Sequence, residues 1–123
     1  MIERRGFGTD TRIISHLNPH VEIMLHQADE LKMDGKYEKA IEVYDQVITI
    51  DPRNARAFHS RANVLDMMGR FEDAISSYND AIVCDPLNAE TWYNKGLTLK
   101  KIGKRIESFA CVQRGLYIYL GTE

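Results

Sequence analysis

The sequence has little of what would mark a specialised class of protein. Of its 123 residues two are cysteine, three are proline and one is tryptophan, and the formal charge at pH 7 is −2. Two cysteines without CxxC spacing are too few for a disulfide scaffold, so we expect Cys84 and Cys111 to be small buried side chains in a reducing compartment. Sixteen basic residues against eighteen acidic ones give no overall attraction to nucleic acid or to an anionic membrane.

Long apolar runs and the common catalytic motifs are also missing. No stretch approaches the roughly 20 apolar residues of a membrane helix, and the basic start MIERRGFGTDTR lacks the apolar run of a secretory leader. We therefore expect a cytoplasmic protein. No glycine-rich phosphate loop, GxSxG, HExxH or CxxC motif occurs. The sequence therefore predicts no enzyme activity, no cofactor and no catalytic residues.

What the sequence does have is a repeat of 34 residues. Pro52 and Pro86 lie 34 positions apart. The same spacing relates Gly35, Gly69 and Gly103, Ala40 and Ala74, Tyr44 and Tyr78, and Ala28, Ala62 and Gly96. In each copy a glycine in left-handed conformation is expected to end a first helix, and in the first two copies a proline is expected to end the second one. Each copy therefore predicts a helix, a tight turn and a helix, with Asn54 and Asn88 as N-caps of first helices.

Apolar side chains fall at helical spacing in the middle copy. Phe58, Ala62 and Leu65 lie at i, i+4 and i+7 of its first helix. The second helix, predicted over residues 70–83, carries Ala74, Tyr78 and Ala81 in the same way. One hairpin cannot cover its own apolar stripe, so neighbouring copies are expected to stack.

These columns resemble the tetratricopeptide repeat, whose signature is a large residue, a small one four later, an apolar one three later, and then alanine, aromatic and proline positions. The matching residues are Met24, Ala28, Leu31, Ala40, Tyr44 and Pro52; Phe58, Ala62, Leu65, Ala74, Tyr78 and Pro86; and Trp92, Gly96, Leu99, Ser108, Val112 and Leu120. The resemblance covers residues 21–120 and implies an all-α fold, an α-solenoid of three helix-turn-helix repeats. Its predicted segments are a flexible lead or partial cap at 1–20 and repeats at 21–54, 55–88 and 89–123. The third repeat is atypical, because Ser108, Val112 and Leu120 depart from the columns.

The resemblance implies a protein-interaction module that binds a peptide or partner helix in a concave groove. By matched position the groove residues are Glu22, Leu25, His26, Asp29 and Met33; Arg56, His59, Ser60, Asn63 and Met67; and Glu90, Tyr93, Asn94, Leu97 and Lys101. Asn63 and Asn94 suit bonding to a peptide backbone, although bonding to neighbouring helices is an equal alternative. Members that bind chaperone tails use a carboxylate clamp, whereas Leu25, Asp29, Ser60, Glu90 and Asn94 stand at the matching positions, so no chaperone-tail binding is predicted.

The last helix is too apolar for a terminal element of a stack. Its apolar residues include Phe109, Val112, Leu116, Tyr117, Tyr119 and Leu120. We expect a second copy of the chain to cover them, which gives a homodimer, and a purely structural homo-oligomerisation unit is the alternative function. A further alternative is a capping segment beyond Glu123. At the other end, Ile14 lies 34 before Ile48, which allows either a partial helical cap or a mobile leader.

Histidines and basic residues give weak signals for other chemistry. His16 and His20 are four apart, but Pro19 between them argues against one helix holding two metal ligands. His26 and His59 are better explained as solvated or peptide-contacting residues than as ligands. The only basic cluster, at residues 100–105, is expected to complement the carbonyl end of a helix rather than to bind nucleic acid.

Overall fold

The computed structural model describes residues 18–122, and every regular element within that range is an α-helix. The six helices are α1 (Pro19–Met33), α2 (Tyr37–Ile50), α3 (Ala55–Met67), α4 (Phe71–Cys84), α5 (Ala89–Lys101) and α6 (Arg105–Leu120). They form three successive pairs, as the 34-residue period predicts. The predicted short helix at the N-terminus, with His16 and Ile14, lies outside the described residues. No helix within them combines the length and apolar character that crossing a membrane requires.

Two of the first helices begin at an asparagine cap. Asn18 accepts a hydrogen bond from the backbone N–H of His20 at 2.9 Å, and Pro19 follows at the first helical position, where its missing N–H costs nothing. Asn88 accepts from the backbone N–H of Thr91 at 3.3 Å, so its predicted role as an N-cap is confirmed. Before α3 the side-chain amide of Asn54 donates to Asp51 at 3.2 Å, and the role of Asn54 as an N-cap stays a prediction.

The turn inside each pair has the same geometry in all three copies. Gly35, Gly69 and Gly103 have φ values of 77°, 79° and 84°, which side chains with a Cβ rarely adopt. The residue after each glycine donates its backbone N–H to a carbonyl five residues earlier: Lys36 to Leu31 at 2.9 Å, Arg70 to Leu65 at 2.9 Å and Lys104 to Leu99 at 3.0 Å. This is the Schellman arrangement, and it confirms the predicted left-handed glycines.

The helices fall into two compact units that divide between Asn54 and Ala55, with α1 and α2 in the first and α3 to α6 in the second. In the first, α1 packs on α2, and the buried side chains include Ala28, Ala40, Tyr44 and Val47. In the second, α3 packs on α4, α4 on α5, and α5 on α6. Its buried core includes Ala62, Leu65, Ala74, Tyr78 and Ala81, which confirms the predicted stripes, with Phe58 half-buried.

The last two helices of the second unit approach each other more closely than a Cβ would allow at two positions. A Cβ on Gly115 would lie 2.9 Å from the carbonyl oxygen of Ala89, and one on Gly96 would lie 3.0 Å from that of Ser108. Ser108 donates its hydroxyl to the carbonyl oxygen of Gly96 at 2.7 Å. That bond satisfies the hydroxyl, which explains how serine occupies the position that holds alanine in the other two copies.

Trp92, the single tryptophan, lies at the junction of these helices. Its indole N–H donates to the carbonyl oxygen of Pro86 at 2.8 Å. The ammonium of Lys95 and the guanidinium of Arg114 lie 5.7 and 5.6 Å from the ring centroid, within cation–π range. The ring therefore contacts groups from the α4–α5 connection, from α5 and from α6.

Candidate functional site

A tyrosine on the second helix of each of the first two pairs bonds to a polar side chain on the first helix. Tyr44 donates its hydroxyl to Asp29 at 2.5 Å, and Tyr78 donates to Asn63 at 2.5 Å. In the third pair Val112 and Leu97 occupy the corresponding positions, so both partners are replaced together by apolar residues. This tyrosine–polar pair was not predicted from the sequence. The joint replacement at a fixed offset of 15 residues is the signal that could have shown it.

His59 joins the first helices of the second and third pairs. Its Nδ1 lies 2.6 Å from the hydroxyl oxygen of Thr91, and its Nε2 lies 3.3 Å from the amide nitrogen of Asn94. An amide nitrogen can only donate, so Nε2 accepts and Nδ1 carries the proton that it gives to Thr91. The ring also packs edge-on against Tyr78, with centroids 5.8 Å apart. A neutral histidine with both nitrogens in hydrogen bonds is a structural bridge between α3 and α5.

Asp66 makes a second bridge between the same two helices. Its carboxylate accepts from the hydroxyl of Thr98 and from the ammonium of Lys101, the latter at 2.5 Å. Asp66 is mostly buried while Lys101 is half exposed. The Lys101 ammonium also lies 5.6 Å from the ring centroid of Phe71 on α4. The charge of Asp66 is therefore compensated inside the protein, and it does not repel an approaching ligand as an isolated carboxylate would.

Between these bridges α3, α4 and α5 border an open recess of about 180 Å³. Its lining residues are Asn63, Asp66, Met67, Tyr78, Asn94, Leu97 and Lys101. Five of them were assigned to the groove from the sequence, and Asp66 and Tyr78 were not. Ligand pockets for small molecules and cofactors usually measure about 300–1,000 Å³. The recess therefore suits a single side chain better than a whole organic ligand.

The two asparagines in the recess keep complementary polar groups beyond their internal bonds. Burial, reinforced by the nearby charge of Asp66, raises the pKa of the Tyr78 phenol, so the hydroxyl stays protonated and donates to Asn63 Oδ1. The Nδ2 donor of Asn63 takes no part in that bond. Asn94 uses its Nδ2 toward His59, and its side-chain carbonyl takes no part there. The recess thus combines an amide donor and an amide acceptor with the exposed side chains of Met67 and Leu97.

The other predicted groove residues lie in different surroundings. Arg56, Glu90 and Tyr93 are exposed on the second unit, whereas Ser60 is buried at 9% exposure. In the first unit Glu22, His26 and Met33 are exposed, and Asp29 is bonded to Tyr44. Leu25 is buried at 1% exposure, so its side chain offers no accessible surface.

The residues assigned to self-association divide into two groups. Phe109, Leu116, Tyr117, Tyr119 and Leu120 are exposed on α6. Val112 is half-buried and faces α5, since its Cγ2 would lie 2.7 Å from a Cβ on Gly96. No three histidine, cysteine or carboxylate side chains come together as a metal site within residues 18–122. Neither cysteine forms a disulfide within the described residues, and Cys111 is buried while Cys84 is half-buried.

Comparison with protein families identifies the fold. A family model described as TPR repeat matches residues 28–69 and 67–103, and one described as tetratricopeptide repeat matches residues 89–120. The chain therefore belongs to the tetratricopeptide repeat family, and the resemblance seen in the sequence is confirmed. Among curated proteins, none matches the sequence significantly.

Solved structures with the same fold include several tetratricopeptide proteins at low identity. The crystal structure of MamA matches with a TM-score of 0.80 and 22% identity over 83% of this chain, which spans 60% of the MamA chain. The translocator chaperone SycD of Yersinia enterocolitica matches with a TM-score of 0.79, 22% identity and coverage of 82% and 76% of the two chains. The second TPR of Spaghetti (RPAP3), bound to an HSP90 peptide, matches with a TM-score of 0.76, 24% identity and coverage of 80% and 91%. These similarities confirm the all-α tetratricopeptide fold.

Proposed function

We propose that the protein is an interaction module that binds an extended peptide, or the exposed turn of a partner helix, across the recess between α3 and α5. The observation that carries this proposal is the combination in one recess of the Asn63 amide donor, the Asn94 carbonyl and two exposed apolar side chains. Similar folds occur in the TPR of Spaghetti bound to an HSP90 peptide and in SycD in complex with a peptide of the translocator YopD. Binding rather than catalysis is the function that such a surface supports.

The chemistry of the recess matches a peptide backbone. Each peptide unit offers one C=O acceptor and one N–H donor, which are the complements of Asn63 Nδ2 and Asn94 Oδ1. Met67 and Leu97 supply adaptable apolar contact for one side chain of the ligand. The Asp66–Lys101 pair adds no net charge. We therefore propose a ligand with a neutral or apolar residue at the position that enters the recess.

Asn63→Asp tests this proposal without removing a structural bond. Asp29 shows in the first pair that an aspartate accepts the tyrosine hydroxyl at the same 2.5 Å, so the variant can keep the Tyr78 bond while it loses the amide donor and gains a carboxylate. Peptides selected from a random displayed library against the natural chain should bind the variant at least tenfold more weakly, because a buried hydrogen bond is lost and a charge is added. Glu72→Ala, on the exposed face of α4, is the control and should bind normally.

Equal binding of the selected peptides by Asn63→Asp and the control would contradict the role of this recess. The thermal midpoints of the two variants, measured by circular dichroism, show whether a loss of binding reflects a loss of fold. A library that yields no peptide dependent on Asn63 favours the alternative function, a structural unit whose groove stays empty.

We propose that the ligand is not an acidic C-terminal tail of the chaperone type. Two of the positions that match a carboxylate clamp, Leu25 and Ser60, are buried. Asp29 accepts a hydrogen bond from Tyr44, and Glu90 is an exposed carboxylate. A terminal carboxylate would meet like charge rather than a cation there. Titration with the HSP90 peptide SRMEEVD should show no saturable binding at low micromolar concentration, and saturable binding in that range would contradict this proposal.

A second proposed function is self-association, favoured by the exposed apolar side chains of α6. Phe109, Leu116, Tyr117, Tyr119 and Leu120 are all exposed on one terminal helix, and clustered apolar surface of this kind marks interaction sites. Light scattering at micromolar concentration should give the mass of a dimer, and a monomer mass would contradict it. We place both functions in the cytoplasm, where the two free cysteines would stay reduced.

A further inference from the structure

Helix α6 has two faces of opposite environment. Ser108, Cys111 and Gly115 are buried on the side that packs against α5. On the opposite side Ile106, Phe109, Leu116 and Leu120 are exposed by 88%, 67%, 52% and 60%. With Ala110 and Tyr117, also exposed, these six residues follow the i, i+3, i+4 spacing of one helical stripe. We name this stripe, together with the half-buried Gln113 at its middle, the outer face of α6.

The outer face has an internal symmetry about Gln113. Ile106 and Leu120 lie seven residues before and after it, Phe109 and Tyr117 lie four before and after, and Ala110 and Leu116 lie three before and after. Two copies of such a stripe in antiparallel contact would place each residue against its counterpart. An aliphatic residue would then face an aliphatic one, an aromatic ring would face an aromatic ring, and the small Ala110 would face the larger Leu116.

We propose that two copies of the chain pair through α6 in antiparallel orientation, with a twofold axis at Gln113. This inference rests on the proposed self-association and specifies its surface, direction and register. A twofold interface must be self-complementary, since the same patch serves both copies. The arrangement around Gln113 meets that requirement in shape and in chemical type.

Gln113 supplies the polar contact at the axis. Its amide nitrogen donates to the hydroxyl oxygen of Tyr117 at 2.8 Å within the same helix. Its second amide hydrogen and its carbonyl oxygen can pair reciprocally with the Gln113 of the other copy. A buried polar side chain in the middle of an apolar helix contact fixes register, because any shift leaves it unpaired among apolar groups.

The charges around the outer face do not oppose this pairing. None of its seven residues is charged, and the flanking charges are Arg105, Glu107 and Arg114. In the antiparallel register Glu107 comes opposite Tyr119, and Arg114 comes opposite Val112. The two Arg114 residues, one position from the axis, come near each other, but each guanidinium lies 5.6 Å from the Trp92 ring centroid of its own copy and off the outer face.

The area is sufficient for a specific dimer. With about 150–250 Å² for a whole aromatic side chain, the exposed fractions of the outer face correspond to roughly 500 Å² per copy, or on the order of 1,000 Å² for the pair. A biological interface should reach about 1,000 Å² in total. We therefore expect a dimer that forms at micromolar concentration and dissociates on dilution.

Disulfide trapping tests the direction and register of the pairing. Single cysteines are introduced at Gln113, Ile106, Leu120 and Glu107 of a chain in which Cys84 is replaced by serine and Cys111 by alanine. Gln113→Cys should cross-link to its own copy on mild oxidation, because both sulfurs lie at the axis. Ile106→Cys should not, since 14 residues of helix separate the two sites by ~21 Å. An equimolar mixture of Ile106→Cys and Leu120→Cys should give a mixed disulfide, and Glu107→Cys is the control outside the contact.

The outcomes separate this inference from the proposed self-association. A monomer mass for the cysteine-free chain would overturn both. A dimer in which Ile106→Cys links to itself would show a parallel pair and overturn the antiparallel register, while self-association would stand. A dimer that forms no disulfide at any of the four positions would show that the interface does not lie on α6, and it would overturn the inference.

Leu116→Lys, compared with Val83→Lys, tests the surface itself. Both residues are exposed apolar side chains of the second unit, but only Leu116 lies on the outer face. Leu116→Lys should shift the chain to monomer at the concentration where Val83→Lys remains dimeric. Equal dimer fractions for the two variants would overturn the proposed contact.

Discussion

Replacing Gly115 with alanine should destabilise the protein, although alanine is the better helix former. Gly115 lies in the interior of α6. On an open helix surface the substitution would gain about 1 kcal/mol. Here the new Cβ would lie 2.9 Å from the carbonyl oxygen of Ala89, 3.3 Å from the backbone nitrogen of Tyr93 and 3.5 Å from the Cβ of Trp92. Two of these atoms belong to the backbone of α5, so the helices would have to separate.

The cost of separating α5 and α6 sets the size of the stability loss. Overpacking of one methyl group costs about 1–3 kcal/mol. After the propensity gain of about 1 kcal/mol is subtracted, the net loss should be up to about 2 kcal/mol. Urea unfolding followed by circular dichroism measures this loss as a lower transition midpoint at unchanged slope.

Ser76→Ala is the matched control for this prediction. Ser76 is exposed in the interior of α4, so the same product residue is introduced without a close contact. It should gain a few tenths of a kcal/mol from helix propensity alone. If Gly115→Ala proved as stable as the natural protein or more so, the close approach of α5 and α6 at this position would not constrain the fold.

Three further predictions concern Tyr78 and the thiols. Tyr78→Phe should cost about 0.5–1.5 kcal/mol in urea unfolding, because Asn63 loses the hydrogen bond that it accepts, and an unchanged midpoint would contradict that bond. The folded protein raises the pKa of Tyr78 above its ordinary 10.0. The contribution of Tyr78 to the free energy of unfolding is therefore complete below pH 10, and above pH 10 it falls by up to about 1.4 kcal/mol per pH unit. Tyr78→Phe should flatten this alkaline loss of stability. Iodoacetamide should modify Cys84 before Cys111, since burial hides the Cys111 thiol and raises its pKa; peptide mass spectrometry would reveal the opposite order.

The features that could be predicted from the sequence are those fixed by local backbone chemistry. Three such features could be predicted from the sequence, because each depends only on residues close in the chain. They are the 34-residue period, the left-handed Gly69 and the Asn88 cap. The bridge from His59 to Asn94 and the close contact at Gly115 depend on which residues meet between helices. Spacing within one helix does not contain that information.

The candidate site was predictable in outline and not in its bonding. Matched position located Asn63 and Asn94, but it left open whether their amides bond to a peptide backbone or to neighbouring helices. The structure shows that each amide is shared between a neighbouring helix and the recess. Asp66 was missed because its role becomes visible only beside Lys101. Leu25 shows the reverse case, a residue assigned to a surface by position and buried by the packing around it.

The position of Trp92 gives the chain an optical reporter of its own. The only indole donates its N–H to Pro86 and lies within cation–π distance of Lys95 on α5 and of Arg114 on α6. Its emission therefore depends on the connection after α4 and on the last two helices together. The third repeat can thus be followed by fluorescence while circular dichroism follows all six helices. A difference between the two signals would measure how far the atypical repeat unfolds apart from the others.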